Sequence, residues 1–370
     1  MPERNSLYYL FSVVRILLYP FALLYGAIVW MRNRLYDTGF FSSVAFTVPV
    51  ISVGNLSVGG TGKTPHIEYL IRLLQYQYKV ATMSRGYKRR TQGFLLAHET
   101  TNALKIGDEP MQYFMKFPET VVSVAEERMT GIPSLLQLKP EVDVVLLDDA
   151  YQHRSVKPGI NILITDFSIP FYKDYILPYG SLRENRKAYQ RADIIIISKC
   201  PPAITIEEAD AIRQRIQLQP HQSVYFTSIE YDAPIDFFSK TPTSLEGKSI
   251  ILVSGIAKPE NLLRYLRKQT QHIHTLRYPD HHYYVSKDLL EIKAAYDNWN
   301  QPDKIIVTTE KDAARLQLHY DKLQEWHIPI IIQPISVRFL FNEEKSFENH
   351  ILQYVEKALV AHNEIYHPLD

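Results

Sequence analysis

Residues 50–65 have the sequence VISVGNLSVGGTGKTP, which predicts a buried strand, a glycine-rich loop and the first turn of a helix. In a phosphate-binding loop (P-loop) of this kind, the backbone N–H groups turn inward and bind the phosphates of a nucleotide. The lysine at the end of the loop reaches the β- and γ-phosphates, and the hydroxyl group after it ligates Mg²⁺. Lys63 and Thr64 occupy these two positions, and the positive end of the following helix dipole is directed at the anion.

The loop departs from the usual pattern at one position, because Ser57 stands where the first glycine is expected, five residues before Gly62. Two further glycines inside the loop supply additional backbone freedom. A glycine-rich turn without function is the alternative, but the apolar strand before it and the helical pattern after it favour a nucleotide site. The predicted phosphate-binding residues are Ser57, Val58, Gly59, Gly60, Thr61, Gly62, Lys63 and Thr64.

The chain has 370 residues, which is long for one small domain and predicts two. Its hydrophobic content of 46% and charged content of 22% are typical of a globular protein and exclude a disordered chain. The net charge of +1 gives no general attraction to nucleic acid, so no nucleic-acid partner is predicted. Cys200 is the single cysteine; an intrachain disulfide is therefore excluded, and we expect this residue to pack in the core.

An apolar segment precedes the P-loop. Between Leu7 and Met31 its only polar or charged residues are Ser12 and Arg15, and the charge-free residues 16–31 fall short of the ~20 needed to cross a bilayer. We predict a helix over residues 1–36 that lies in the membrane interface; a single span and a helix buried against the protein are the alternatives. On that helix one face would carry Arg4, Tyr8, Arg15 and Tyr19.

After the P-loop, short apolar strands alternate with helices, which predicts an α/β fold of the P-loop NTPase type, a parallel sheet with helices on both faces. A second, smaller α/β lobe begins after a polar, proline-bearing stretch at residues 231–248. The predicted domains are the N-terminal helix (1–36), a P-loop domain (37–230) and the second lobe (231–370). In parallel sheets ligands gather at the carboxyl ends of the strands, so the polar residues there are the candidates for function.

The first such strand end is Val-Val-Leu-Leu-Asp-Asp at residues 144–149, the form of a Walker B element. Carboxylate oxygens suit Mg²⁺, so Asp148 and Asp149 are predicted to hold the metal together with Thr64. The residues that follow are unusually polar for a strand exit, and Gln152 and His153 are expected to line the same cleft.

The sequence Gly-Asp-Glu-Pro at residues 107–110 has two interpretations. An acidic residue before a helix with proline near its start is a common cap. Phosphoryl transfer to a hydroxyl group, however, needs a carboxylate that orients the nucleophile and accepts its proton, and Asp108 is a candidate.

The stretch Tyr-Pro-Asp-His-His-Tyr at residues 278–283 follows a predicted strand. No third ligand at helical spacing supports a metal site, and a histidine in a polar loop is often merely solvated. The functional alternative is that His281 faces a carboxylate and tunes or relays a proton.

A basic loop at residues 84–90 leaves a predicted strand end, and a second, at residues 177–184, leaves another region near the same edge. Such loops are usually solvated surfaces, but beside a P-loop and a membrane helix they are candidates for binding an anionic head group. The candidate substrate residues in them are Arg85, Arg183 and Glu184.

With these motifs in order, the chain resembles the tetraacyldisaccharide 4′-kinases, the lipid A 4′-kinases of Gram-negative bacteria. The resemblance covers nearly the whole chain, and the order of its motifs is more specific than the P-loop alone. Ala150 stands where many members have glycine after the paired aspartates. The matching stretches are residues 54–65, 84–87, 107–110, 147–153, 177–184, 254–257, 279–281 and 309–312.

The resemblance implies transfer of the ATP γ-phosphate, with Mg²⁺, to the 4′-hydroxyl group of a tetraacylated glucosamine disaccharide 1-phosphate, giving lipid IVA. It implies a peripheral location at the cytoplasmic face of the bacterial inner membrane. The family's catalytic Asp–His pair falls on Asp108 and His281, and Asp148 takes the Mg²⁺ role. We further expect Asp108 and His281 to lie on different lobes, so that turnover depends on lobe closure.

Two other classes remain alternatives from the sequence. A P-loop GTPase or ATPase switch, or a metal-insertion chaperone, requires a guanine-reading Asn-Lys-x-Asp stretch or a Cys/His cluster, and neither is present. A membrane-bound nucleotide-sensing scaffold without turnover is the third class.

Overall fold

The structure of the protein is a computed structural model that describes residues 3–366, and side chains from residue 17 to residue 361. The chain forms two compact units. Unit 1 comprises Met1–Ser84, Glu127–Ile229 and Val337–Asp370, and unit 2 comprises Arg85–Glu126 and Glu230–Ser336. These bounds differ from the domain limits expected from the sequence, because residues 85–126 cluster with the second lobe and the C-terminal helix clusters with the P-loop unit.

The strands are β1 (Val50–Gly54), β2 (Val80–Ser84), β3 (Leu95–Leu96), β4 (Val121–Val124), β5 (Val144–Asp148), β6 (Ile160–Asp166), β7 (Ile194–Ser198), β8 (Ser223–Tyr231), β9 (Ile235–Asp236), β10 (Ser249–Ser254), β11 (Ile273–Arg277), β12 (Lys304–Thr309), β13 (Ile330–Gln333) and β14 (Ile335–Phe339). The α-helices are α1 (Glu3–Asp37), α2 (Lys63–Leu74), α3 (Ala103–Ile106), α4 (Asp108–Lys116), α5 (Arg128–Leu138), α6 (Ile206–Ile216), α7 (Glu260–Leu266), α8 (Ser286–Asn298), α9 (Glu310–Leu316), α10 (Tyr320–Glu325) and α11 (Glu344–Tyr366).

The central sheet of unit 1 is parallel and has the strand order β8–β7–β6–β1–β5–β2. Its strands are continuous apolar runs because both faces are covered; Ile194–Ile197 of β7, for example, are wholly buried. Strand β1 lies between β5 and β6, and Val53 is in register with Asp148. The P-loop that leaves β1 therefore lies beside the carboxyl end of β5, as expected from the alternating pattern.

Unit 2 contains a second sheet with the order β11–β10–β12–β13–β9, parallel except for β9. Alternate residues of β10 enter two separate cores: Ile251 and Val253 pack on one face, and Ile250 and Leu252 on the other. The segment between residues 85 and 126 adds α3, α4 and the antiparallel pair β3–β4 to this unit.

The α/β class and the P-loop NTPase-type sheet predicted from the sequence are confirmed. The strands β3, β8 and β9 are additional to those that the alternating pattern predicts. The apolar run at residues 328–337 contains two strands, because Pro334 separates β13 from β14 and has no N–H group for a ladder bond.

Helix α1 is long, but no helix within the described residues is both long and apolar enough to cross a membrane. Its second half packs on unit 1: Tyr25 donates a hydrogen bond to the Arg183 carbonyl (3.0 Å), and Arg32 donates to the Gln152 carbonyl (2.6 Å). Of the face predicted from the sequence, Tyr19 is half exposed, whereas the side chains of Arg4, Tyr8 and Arg15 lie outside the described residues.

Gly54, the last residue of β1, allows a close backbone approach. A Cβ atom there would lie 2.7 Å from the backbone nitrogen of Tyr151, and a backbone neighbour cannot move aside. We expect Gly54→Ala to lower the unfolding free energy by ~1–3 kcal/mol, the usual cost of overpacking. Thermal unfolding of the full chain measures this, with Gly26→Ala as the control, since its Cβ would meet only Ile176 at 3.5 Å. A Gly54→Ala protein that melts at the wild-type temperature would contradict the argument.

Candidate active site

The carbonyl groups of residues 60–62 are held from outside the P-loop. The Gly60 carbonyl accepts a hydrogen bond from Lys199, the Thr61 carbonyl accepts one from Ser198 (2.5 Å), and the Gly62 carbonyl accepts one from His66 (2.7 Å). In a trans peptide the N–H group points opposite to the carbonyl of the preceding residue. Fixing these three carbonyls therefore turns three successive N–H groups to the other side of the loop, as an anion site requires.

His66 is buried in unit 1 and neutral. Burial, the largest effect, lowers its pKa to about 4. Because a carbonyl oxygen only accepts, Nδ1 carries the proton toward Gly62, and Nε2 accepts from the Thr227 hydroxyl at 3.1 Å. Gly62 itself has a φ of 96°, a left-handed conformation that favours glycine. His66 thus ties the first turn of α2 to the loop before it.

Lys63 and Arg183 meet the same carboxylate. Asp149 lies 3.3 Å from Lys63 Nζ and 3.3 Å from each terminal nitrogen of Arg183. Burial acts to raise the pKa of Asp149, but the two cations outweigh it and hold the pKa at about 2. Lys63 also lies 3.3 Å from Asn55 Oδ1. The P-loop lysine is therefore positioned by an anion and an amide oxygen within unit 1.

Asp148 and Thr64, also predicted to hold Mg²⁺, are the chain neighbours of Asp149 and Lys63. Asp148 is the last residue of β5, is buried, and accepts a hydrogen bond at its backbone carbonyl from the buried Arg128 (3.1 Å). Thr64 lies in the first turn of α2 and is also buried. Within the described residues no group of three His, Cys, Asp or Glu side chains has the geometry of a metal site.

Asp108 forms the centre of a second cluster, in unit 2. Its Oδ2 atom lies 2.9 Å from His281 Nδ1 and accepts hydrogen bonds from Arg315 Nη2 (2.5 Å) and Nε (3.2 Å). Its Oδ1 atom is buried and has no hydrogen-bond partner among the described residues. The carboxylate is thus held through one oxygen atom, and the other remains able to accept a proton.

Charged neighbours keep Asp108 ionised. Burial acts to raise the pKa of this carboxyl, but the His281 hydrogen bond and the charges of Arg315 and Lys311 outweigh it, so the pKa lies well below its usual range. Asp108 is the first residue of α4 and follows its N-cap, Gly107, and the hydrogen bonds of its carboxylate are to His281 and Arg315. The interpretation of Asp108 as a simple helix cap therefore does not describe its contacts.

The expected separation of Asp108 and His281 is wrong. Both residues belong to unit 2, because residues 85–126 fold with the second lobe, and their side chains are hydrogen-bonded. His281 has a φ of 58°, an uncommon left-handed conformation, and its ring lies edge-on to Tyr87 with 5.2 Å between centroids.

The other predicted site residues have different environments. Gln152 joins the P-loop cluster, donating to the Asn55 carbonyl (2.9 Å) and accepting from Arg183 (3.1 Å). Glu184 is fully buried and pairs with Arg191 (2.8 Å) and Asn33 (3.0 Å), contacts that fix α1. The remaining two are His153, half-buried in the turn after β5, and Arg85, exposed in unit 2.

Within the P-loop itself, Ser57 is buried and its carbonyl lies 3.4 Å from Arg183 Nη2. Val58 is half exposed and its N–H donates to the Ser181 carbonyl at 2.8 Å. The Gly59 carbonyl lies 3.5 Å from the Asn55 amide nitrogen.

Sequence reasoning missed several residues that hold these clusters in place. The stretch at residues 309–315 is explained locally by a threonine cap and an acidic first turn, and Thr309 does cap α9. The same helix also brings Arg315 to Asp108, which is 207 residues away in the chain. Lys199 and Ser198 carried a signal, since they end a strand of the predicted parallel sheet. For His66 the only signal in the sequence was its position four residues after Gly62.

Known proteins resemble this chain along most of its length. A family model described as Tetraacyldisaccharide-1-P 4'-kinase matches residues 14–356. The Tetraacyldisaccharide 4'-kinase of Bacteroides thetaiotaomicron is 45% identical over 354 residues, 92% of this chain and 93% of that protein. A protein of the same name from Flavobacterium psychrophilum is 45% identical over 352 residues, 94% and 98% of the two chains. The crystal structure of LpxK from Aquifex aeolicus in complex with ATP has a TM-score of 0.72 at 28% identity, covering 92% of this chain and 99% of that one.

The lowered pKa of His66 makes a testable contribution to stability. In the unfolded chain His66 binds a proton as the pH falls below 6.5, whereas in the folded chain it does so only near pH 4. The free energy of unfolding therefore decreases as the pH falls from 6.5 to 4. We expect the loss to reach ~2 kcal/mol at pH 5. His66→Gln should therefore show a smaller drop in melting temperature between pH 7 and pH 5 than the wild type.

The control is His221→Gln, because His221 is an exposed histidine of the same unit. This variant should keep the wild-type drop. An identical drop in the His66→Gln and wild-type proteins would contradict the neutral, buried state of His66.

Proposed function

Because the chain belongs to the tetraacyldisaccharide-1-P 4′-kinase family, we propose roles for its residues in the reaction of that family. The protein is an ATP-dependent kinase that phosphorylates the 4′-hydroxyl group of a tetraacylated disaccharide 1-phosphate, a lipid substrate, in lipid A biosynthesis. The comparisons support this activity and not a GTPase switch or a metal-insertion chaperone. The observation that carries the residue roles is the Asp108 carboxylate, held through Oδ2 with Oδ1 left to accept.

The P-loop residues 57–64 are proposed to bind the ATP phosphates. The orientation of the peptide groups after residues 60, 61 and 62 supports this role, because it directs N–H groups to one side of the loop. Thr64 and Asp148 form a hard oxygen donor set that suits Mg²⁺, with phosphate oxygens and water as the remaining ligands. The bound ion would neutralise charge on the β- and γ-phosphate oxygens.

Lys63 is proposed to exchange partners when ATP binds. Its ion pair with Asp149 is 3.3 Å long and partly exposed, so a phosphate group competes with it readily. Arg183 then remains to neutralise Asp149, which it contacts through both terminal nitrogens. In this proposal Asp149 orients Lys63 and Arg183, and its direct contact with the metal stays a prediction from the sequence.

Asp108 is proposed to orient the 4′-hydroxyl group and take its proton. The hydroxyl oxygen forms a bond to the γ-phosphorus, the bond from that phosphorus to the β–γ bridging oxygen breaks, and the proton moves to Asp108 Oδ1. A carboxylate of low pKa is a weak base, but phosphoryl transfer passes through a loose transition state in which orientation outweighs early deprotonation. His281 fixes the carboxylate from the loop after β11.

Helix α1 is proposed to bind the surface of the membrane that holds the lipid substrate, at the cytoplasmic face of the bacterial inner membrane. Four apolar side chains spaced by four, three and four residues form an exposed stripe on it, between 54% and 66% exposed. A stripe of this kind on one face of a helix suits the interface between head groups and acyl chains. Its members are Leu17, Phe21, Leu24 and Ile28.

Asp108→Asn tests the catalytic role. The amide keeps the size of the side chain but cannot accept the proton, so we expect kcat to fall ~10²- to 10⁴-fold with the KM for ATP unchanged. Transfer of radiolabelled phosphate from ATP to a tetraacylated disaccharide 1-phosphate measures both constants. The control Asp297→Asn changes an exposed carboxylate of unit 2 and should keep wild-type turnover. Near-wild-type kcat in Asp108→Asn would refute the assignment.

Charged residues in the exposed stripe test the membrane role. We expect the double variant Leu24→Asp/Ile28→Asp to cosediment poorly with anionic phospholipid vesicles, because burying a carboxylate beside acyl chains is costly. Ile206→Asp is the control, since Ile206 is equally exposed, at 61%, on α6 of the same unit. Equal sedimentation of the double variant and the wild type would exclude this surface as the membrane contact.

A further inference from the structure

We propose that Arg315 is a positioning residue of this kinase, which fixes the Asp108 carboxylate through one oxygen atom so that the other faces the sugar hydroxyl group. The inference rests on the role proposed above for Asp108. It adds a residue that touches neither substrate and acts through the base alone.

The guanidinium group of Arg315 is fully buried and uses both of its edges. Nε and Nη2 donate to Asp108 Oδ2, while Nη1 donates to Asp312 Oδ1 and to the Gly255 carbonyl, each at 2.9 Å. Because a planar guanidinium holds its donors in fixed directions, the position of Asp312 determines where Asp108 is held. Asp108 is therefore placed relative to the strand ends of the unit 2 sheet.

Asp312 is the fixed end of this arrangement. It accepts hydrogen bonds from the Gly255 N–H group (3.0 and 3.1 Å), from the Tyr284 hydroxyl (2.9 Å) and from the Thr309 hydroxyl (2.6 Å). Gly255 follows β10 and Thr309 ends β12, which are adjacent strands. Asp312 therefore holds the Arg315 guanidinium rigidly, as a group that positions a catalytic carboxylate requires.

A purely structural ion pair would need only one carboxylate. Arg315 already has a complete partner in Asp312, yet a second carboxylate is buried on its other edge with one oxygen atom lacking a hydrogen bond. Leaving a buried acceptor unsatisfied costs free energy and is unusual in a network that serves stability alone. The arrangement instead suits a carboxylate whose second oxygen receives a substrate group.

The charge of Arg315 also lowers the pKa of Asp108, an effect that packing against a neutral side chain would not have. The other groups facing Asp108 are His281 from the loop after β11, Lys311 from α9, and the neighbouring Glu109 and Tyr283. Burial raises the pKa of Asp108 and the nearby cations lower it. Without Arg315 fewer cations oppose burial, so the pKa of Asp108 rises. Arg315 therefore contributes to the ionised state of Asp108 as well as to its position.

The experiment measures kcat and both KM values in the wild type, Arg315→Gln and Arg315→Lys, each shown by thermal unfolding to be folded at the assay temperature. We expect Arg315→Gln to lose ~10²-fold in kcat, the usual effect of a misplaced catalytic group, with the KM for ATP unchanged. Arg315→Lys restores the cation but not the planar set of donors, and it should recover part of the lost kcat.

A second pair of variants guards against failure to fold, because Arg315→Gln leaves Asp312 buried without its cation. The double variant Asp312→Asn/Arg315→Gln removes both charges of that pair, so Asp108 alone loses a partner, and Asp312→Asn is its control. We expect the double variant to have a lower kcat than Asp312→Asn, with the KM for ATP unchanged in both.

Two outcomes overturn the inference: wild-type kcat in either variant that lacks Arg315, or a lower kcat accompanied by a raised KM for ATP. Asp108→Asn separates this failure from that of the proposed function. If Asp108→Asn is inactive while the Arg315 variants behave as wild type, only the positioning role is refuted. If Asp108→Asn is active, the role of the base itself fails.

Discussion

A glycine-rich loop has almost no side chains with which to pack, so its shape must be imposed from outside. Here three hydrogen bonds impose it, from Lys199, Ser198 and His66 to successive carbonyl groups. Two of the donors stand at the end of β7 and the third in the first turn of α2. The shape of the proposed phosphate site therefore depends on the strand order of the sheet, which brings the end of β7 to the loop that leaves β1.

Each unit also holds a carboxylate in place with cations, but the two carboxylates are built for different tasks. Asp149 is partly exposed and shares two cations, one of which is the P-loop lysine, so its contacts can be exchanged. Asp108 is buried, and its arginine is anchored by a second carboxylate that is itself fully hydrogen-bonded to the sheet ends. Both carboxyl groups thus have a lowered pKa, but Lys63 can be exchanged at Asp149, whereas Arg315 is fixed at Asp108.

The sequence was sufficient for features that follow from local pattern. The P-loop, the paired aspartates after β5 and the alternation of strands and helices were all predicted, because each is written in consecutive residues. The pairing of Asp108 with Arg315 was not, since no periodicity links residues that are 207 positions apart. The assignment of residues 85–126 to the second unit was not predicted either. These residues lie in the chain between two segments of unit 1, and chain order does not show with which unit an inserted segment packs.

Helix α1 shares its contacts with the loop that supports the P-loop. Tyr25 and Asn33 bind the backbone of Arg183 and the side chain of Glu184, and the Arg183 N–H group in turn donates to the Leu56 carbonyl. A shortened chain without this helix would lose both the proposed membrane contact and hydrogen bonds that support the proposed nucleotide site. Weak activity in such a chain would therefore measure two losses at once, and a substitution on the exposed face is the cleaner way to separate attachment from turnover.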